Sequence, residues 1–135
     1  MKFIDQFNQY NIEQVHGLYQ QVWWGTERTL DDIQTCISGS QVCIGIINQE
    51  NEVIAFTRII SDFIYKAIIF DVIVCEAHRD SGLGKKLLNA VKSHCALKNV
   101  KHFELYCLPE LESFYQKIGF STEVGGIKLM RCINA

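Results

Sequence analysis

Hydrophobic positions along this chain change their period several times, and each change marks an element. Residues 1–7 alternate weakly and predict an edge strand. From Asn11 the apolar side chains of Ile12, Val15, Leu18, Tyr19, Val22 and Trp23 recur at three and four residues, predicting an amphipathic helix that ends near Gly25. Thr29 followed by Asp32 has the spacing of an N-cap with an acidic first turn, so a second helix should run to about Ser38. Two β-branched runs, residues 42–47 and 53–60, flank the polar link Asn48-Gln49-Glu50-Asn51-Glu52 and read as a hairpin.

Residues 64–75 are apolar with almost no polar alternation, which predicts a central strand buried on both faces. Leu83, Leu87, Leu88, Val91 and Cys95 then return to helical spacing over residues 82–97, and residues 100–107 return to strand character. Strand, glycine turn, helix and strand form a β-α-β unit whose strands should be parallel. Leu111, Phe114, Tyr115 and Ile118 predict a short helix after Pro109, stopped by Gly119. Residues 120–124 and 127–133, around Gly125-Gly126, close the chain as two expected strands. The predicted order is β-α-α-β-β-β-α-β-α-β-β, a mixed α/β sheet of about six to seven strands flanked by about four helices.

Composition narrows the function. A chain of 135 residues, 48% hydrophobic, suits one domain spanning residues 1–135. A net charge of −2 without a basic face argues against nucleic acid as a partner. No run of about 18 apolar residues and no signal-peptide pattern are present, so a cytoplasmic protein with no membrane partner is expected. Five of the six cysteines lie among apolar residues and are expected in the core. No C-x-x-C pair occurs, and His16, His78, His94 and His102 lack ligand spacing, so no metal is expected.

The candidate chemistry lies in Arg79-Asp80-Ser81-Gly82-Leu83-Gly84-Lys85. The first N–H groups of a helix have no intrahelical partner, and the helix dipole adds partial positive charge there, so the start of the predicted helix suits a phosphate. Glycines at 82 and 84 let a diphosphate approach the backbone, with Arg79 and Lys85 supplying charge. The spacing alone equally describes a tight strand-to-helix turn. It is neither the Rossmann G-x-G-x-x-G nor a P-loop, because no G-K-[ST] follows.

In full, Val74-Cys75-Glu76-Ala77-His78-Arg79-Asp80-Ser81-Gly82-Leu83-Gly84-Lys85-Lys86-Leu87-Leu88 resembles the acetyl-CoA signature of the GNAT superfamily of N-acetyltransferases, V-x-P-x-x-[RQ]-G-x-G-[IL]-G followed by paired leucines. Glu76 replaces the usual proline, and Asp80 replaces a glycine, placing a carboxylate beside the expected diphosphate. A second segment, Phe114-Tyr115-Gln116-Lys117-Ile118-Gly119-Phe120, resembles the superfamily's F-Y-x-x-[LIM]-G-F. The asparagine that often precedes it is absent, with Pro109 in that neighbourhood.

The resemblance implies an acetyl-CoA-dependent N-acetyltransferase acting by direct transfer on a primary amine of a small molecule or peptide. Val72, Ile73 and Val74 would bind the pantetheine like an added strand, the N–H groups of Asp80 to Lys85 would hold the diphosphate, and Tyr115 would be the acid that protonates the departing thiolate. For the base the residues leave Asp71, Glu104 or an ordered water. Asp71 is the conspicuous candidate because a carboxylate in an apolar strand needs a partner or a cavity, although simple alternation points it away from Val72 and Val74 unless a bulge intervenes. Trp23, Trp24 and Arg28 are expected at the acceptor pocket. A homodimer would bury part of the aromatic surplus. The alternative is a non-catalytic acyl-CoA-binding or regulatory module, which would keep the glycines and tolerate loss of Tyr115.

Overall fold

The computed structural model describes residues 1–134. Five strands form one sheet in sequence order: β1 (Lys2–Ile4), β2 (Val42–Ile47), β3 (Val53–Ser61), β4 (Lys66–Val74) and β5 (His102–Leu105). The first three pairings are antiparallel, and β4 pairs with β5 in parallel, as the β-α-β reading requires. Helices α1 (Gln9–Tyr19) and α2 (Leu30–Gly39) cover one face, and α3 (Leu83–Ser93) covers the other.

Two cores result. Ile12, Val15, Leu18 and Tyr19 of α1 and Ile33 of α2 bury against Phe56 and Ile73. Leu83, Leu87, Leu88 and Val91 of α3 bury against Ile44, Ile46, Ile59 and Ile69. Each such side chain contributes about 1.5–3 kcal/mol by leaving water. Both α1 and α2 start with a reciprocal capping box, Asn8 with Asn11 and Thr29 with Asp32.

Several boundaries differ from expectation, each for a local reason. Helix α1 stops at Tyr19 and not near Gly25, because the chain tightens into three-residue turns and doubles back. A Cβ at Gly25 would lie 2.8 Å from the Tyr19 carbonyl oxygen, so glycine permits that approach. Strand β4 starts at Lys66, since one carboxylate oxygen of Asp62 accepts from the N–H groups of Ile64, Tyr65 and Lys66 and ties residues 62–66 into a loop. Helix α3 ends at Ser93 because His94 turns extended and its Nδ1 caps Ala96 N. Strand β5 is shorter than residues 100–107.

The two C-terminal strands expected at 120–124 and 127–133 do not form among the described residues. Gly125 and Gly126 both have positive φ and make a turn, yet no ladder links the flanking segments to β5. Ile127, Met130 and Ile133 stay exposed there. The sheet therefore has five strands where about six to seven were expected. The cysteine expectation also changes: Cys43 is buried, Cys36 and Cys75 are half-buried, and Cys95, Cys107 and Cys132 are exposed, all as free thiols. Apolar neighbours in sequence did not guarantee burial, because Cys95 follows the helix break, Cys107 lies beyond β5, and Cys132 lies in the strandless tail.

Candidate active site

The site is set by where β4 and β5 part. Their register runs from Lys66 opposite His102 to Ile69 opposite Leu105, and β5 ends there while β4 continues to Val74. Residues 70–74 thus keep β3 on one side and lose their neighbour on the other. An extended molecule with amide groups can occupy such an edge as an additional strand.

A bulge sits where the opening begins. Arg58 pairs with Phe70 and Phe56 with Ile73, so Thr57 alone faces both Asp71 and Val72. Asp71 holds the extra residue's conformation at φ 57°, a left-handed geometry that aspartate tolerates better than most side chains. The buried Thr57 hydroxyl donates to the Phe70 carbonyl at 2.8 Å and fixes the bulge from across the ladder. The consequence is a change of phase. Ala67 and Ile69 face the α3 core, and so do Val72 and Val74, while Ile73 faces the α1 core.

Asp71 therefore lies on the α1 side, at the centre of a charged cluster. Its Oδ2 accepts from the Tyr19 hydroxyl at 2.7 Å, from Arg28 Nη1 at 2.7 Å and from Arg58 Nε at 2.8 Å. Burial alone would raise the Asp71 pKa, but the hydrogen bonds from Arg58 and Tyr19 and the charge of Arg28 outweigh it and hold the carboxyl below the usual aspartate range. The same burial, with the facing carboxylate, pushes the Tyr19 hydroxyl well above its ordinary value. A carboxylate so held is a weak proton acceptor near neutral pH. Its geometry fits positioning better than the general-base role expected of it. Glu104 pairs with Lys66 at 2.7 Å, at the closed end of the β4–β5 pair.

The aromatic side chains around this cluster separate the two tryptophans. The Trp24 ring packs edge-on to Tyr19 with centroids 5.9 Å apart, and the Arg28 guanidinium lies 5.2 Å from the Trp24 centroid and 5.1 Å from that of Tyr19. Trp23 is 78% exposed and does not join them. Sequence reasoning read Tyr19 as core and passed over Arg58. The available signal was a charge in each of two adjacent apolar strands, Arg58 and Asp71, whose burial requires that they meet.

Past Val74 the chain makes one 3₁₀ turn, Glu76–His78, before α3. Arg79 gives Nε to the Val74 carbonyl and Nη2 to the Gln21 carbonyl, while Gln21 accepts from Glu76 N, so the turn after α1 braces this loop. The Ser81 hydroxyl donates to the His78 carbonyl. Asp80 adopts φ 65°, the left-handed geometry that the glycine at this point of the superfamily pattern accommodates without strain.

Gly82 and Gly84 serve different purposes. Gly82, the N-cap of α3, has φ 83° and open space where a Cβ would be. A Cβ on Gly84 would come 3.2 Å from Phe114 Cζ, so Gly84 is where the loop and the later Phe-Tyr segment touch. Helix α3 has no side-chain cap, unlike α1 and α2, and its first-turn N–H groups remain available to an anion. The opened edge, the uncapped helix start and the glycine contact together fit a thioester coenzyme with a diphosphate end. Lys85 is exposed beside them.

Tyr115 lies in the short helix α4 (Glu112–Gln116), 9% exposed between Phe114 and Phe120, with ring centroids at 5.0 and 6.1 Å. Burial pushes its hydroxyl up to about 12, with the Cys107 thiol adding to the rise. It therefore remains protonated at neutral pH. Its hydroxyl is not among the sealed side-chain atoms that lack a hydrogen-bond partner.

A groove between β1 and α3, lined by Phe3, Ile4, Ile44, Lys86, Ala90 and His94, includes none of the expected site residues. Among the described residues no cluster of His, Cys, Asp or Glu is arranged to hold a metal. No helix there is long and apolar enough to cross a membrane.

A mixed sheet that splits beside a glycine-turn helix places this protein in the acetyltransferase fold class. It superposes on a GNAT-family protein from Xanthomonas campestris pv. campestris with a TM-score of 0.80 at 26% identity, covering 99% of this chain and 94% of the other. An aminoglycoside 6'-N-acetyltransferase solved with coenzyme A shares the fold at a TM-score of 0.72 and 14% identity, over 88% of this chain and 84% of that one. The uncharacterized N-acetyltransferase ycf52 of Gracilaria tenuistipitata var. liui is 29% identical over 128 residues, 92% of this chain and 70% of the relative. The family profile described as "Acetyltransferase (GNAT) domain" matches residues 39–122. The chain belongs to the GNAT acetyltransferase family.

Proposed function

We propose that this protein moves the acetyl group of acetyl-CoA directly to a primary amine of a small molecule or peptide. The observation that carries the reading is the continuous path from the unpaired edge of residues 70–74 to the uncapped start of α3, with Tyr115 packed on the segment that touches Gly84. The coenzyme, when bound, supplies an activated acyl thioester. Val72 and Val74, whose main-chain groups point away from β3 while those of Ile73 pair with Phe56, offer hydrogen bonds to its amides and to the acyl oxygen, and a hydrogen bond there favours attack at the carbonyl carbon. Residues Asp80 to Lys85 meet the diphosphate through backbone N–H groups.

Tyr115 holds its proton where a thiolate would depart and donates a hydrogen bond to the sulfur as charge develops. With Asp71 committed to Arg28, Arg58 and Tyr19, we assign proton removal from the amine to water and give Asp71 a positioning role.

The test is release of free thiol from acetyl-CoA across a chemically diverse panel of amines, with Tyr115→Phe as the comparison. Wild type should release thiol with at least one amine class, and Tyr115→Phe should lower kcat about 10²-fold or more with nearly unchanged coenzyme affinity. Coenzyme binding without thiol release by any amine would support the non-catalytic module instead. An unchanged kcat with chemistry rate-limiting would remove Tyr115 from the mechanism.

A further inference from the structure

Two guanidiniums converge on Asp71, and each spends only one N–H on it. Arg28 uses Nη1 and Arg58 uses Nε, and both reach the same oxygen, Oδ2. A guanidinium carries five N–H donors and commonly grips a carboxylate through two parallel bonds. Here the remaining donors of both arginines lack protein partners among the described residues, apart from ring contacts: Arg28 over Tyr19 and Trp24, and Arg58 over Phe70 at 5.0 Å. None of those nitrogens is sealed from solvent without a partner. The Arg58 side chain is 15% exposed and that of Arg28 32%, so both are partly shielded and partly open to solvent.

Charge points the same way. Two guanidiniums facing one carboxylate leave the cluster one positive charge in surplus, and the depressed Asp71 keeps that count fixed at neutral pH. The surroundings are aromatic: Trp24 and Tyr19 on one side, and Phe70, with Tyr106 at 5.8 Å, on the other. Such a setting strengthens an interaction with an anion and weakens one with a cation.

Location makes the cluster part of acceptor recognition. A coenzyme whose diphosphate lies at the start of α3 and whose arm runs back along Val74 to Val72 brings its reacting end to Phe70 and Asp71, where β5 departs. Resting on the acetyltransferase reading above, we infer that the acceptor is a small amine that also carries an oxyanion group, carboxylate or phosphate. The free N–H groups of Arg28 and Arg58 hold that group, and Trp24 forms the wall beside it. Polycationic amines are then poor acceptors.

Matched pairs of amines test this by equilibrium binding. Wild type saturated with coenzyme A is titrated calorimetrically with β-alanine against β-alaninamide, and with O-phosphoethanolamine against ethanolamine. At least one oxyanion member should bind about tenfold or more tightly than its partner, and the pair in which this occurs tells carboxylate from phosphate. Arg28→Gln should reduce that ratio to within twofold, and Arg28→Lys should retain part of it. Coenzyme A affinity should not change in either variant. Asp71 keeps Arg58 and Tyr19 in both, and a urea midpoint checks their folding. If Arg28→Gln does not fold, the wild-type ratios and Arg28→Lys decide. Equal affinities within both pairs, tighter binding of the neutral-tailed members, or an undiminished ratio in Arg28→Gln would overturn the inference. Oxyanion amines that bind but release no thiol from acetyl-CoA would leave this site standing and defeat the acetyltransferase reading. Rapid acetylation of amines lacking an oxyanion, without preference, would do the reverse.

Discussion

Replacing Asp71 by asparagine changes its charge with little change in shape, and asparagine tolerates the left-handed backbone as aspartate does. The side chain is 10% exposed and faces two guanidiniums. At an effective dielectric of 20, each attraction is worth roughly 4 kcal/mol at about 4 Å between charges. Desolvation offsets several kcal/mol per ion, yet removing one partner of a buried set leaves the others uncompensated and costs about 3–5 kcal/mol. Asp71→Asn should fall near the lower figure, because its oxygen still accepts from Tyr19. Asp71→Ala should fall near the upper, since it also loses every acceptor and suits φ 57° poorly. For a domain of this size the loss corresponds to a Tm lower by about 10–20 °C.

The pH dependence carries the sign. A folded-state pKa below the unfolded value contributes stability that is fully present above about pH 4 and is lost as pH falls through the folded pKa. Urea unfolding of wild type should therefore steepen in its loss of stability below about pH 4, and Asp71→Asn should lack that component. A cost below about 1 kcal/mol at pH 7, with an acid profile parallel to wild type, would refute the charge-hub account.

Gly82→Ala should cost about 1–2 kcal/mol through its left-handed backbone, independently of Phe114. Gly84→Ala should act through Phe114, so a double-mutant cycle with Phe114→Ala should show coupling above about 0.5 kcal/mol for Gly84 and none for Gly82; additivity at Gly84 would deny the contact. Asp80→Gly, which removes a carboxylate and relaxes φ 65°, should tighten coenzyme A binding severalfold by calorimetry, most at low salt, whereas no gain would show that the carboxylate points away. Because burial raises the folded-state pKa of Tyr115 to about 12, ionisation favours the unfolded chain, and stability should fall as pH rises from about 10 towards 12. Tyr115→Phe should lessen that alkaline loss, and identical alkaline midpoints would count against it.

The glycine turn, the parallel β-α-β unit and the Phe-Tyr segment were legible in the chain because each depends on local features: turn residues, period, and a start or stop signal. The hub on Asp71 was only half legible. A lone carboxylate in an apolar strand announced a partner, but the partners come from a helix, a loop and another strand, 52, 43 and 13 residues away. The helical period put Trp23 on the apolar face, but α1 ends early at Tyr19, so Trp24 is the one that packs on Tyr19 while Trp23 stays 78% exposed. The C-terminal strands failed for a different reason. Apolar alternation shows that a segment can pair, not that an edge accepts it, and residues 127–133 have the pattern without a ladder.

The single extra residue at the β4 bulge acts like a carry in counting. Before it, odd-numbered side chains face α3; after it, even-numbered ones do. Flattening the bulge into a regular ladder with every residue kept would turn Val72 and Val74 towards α1 and Ile73 towards α3, whereas deleting Asp71 would pair Val72 with Thr57 and leave those faces as they are. The facing of residues 72–74 is thus decided by the bulge and not by which apolar side chains they carry. Apolar substitutions at residues 72–74 should therefore be better tolerated than a single-residue insertion after Asp71, which would reverse all three faces.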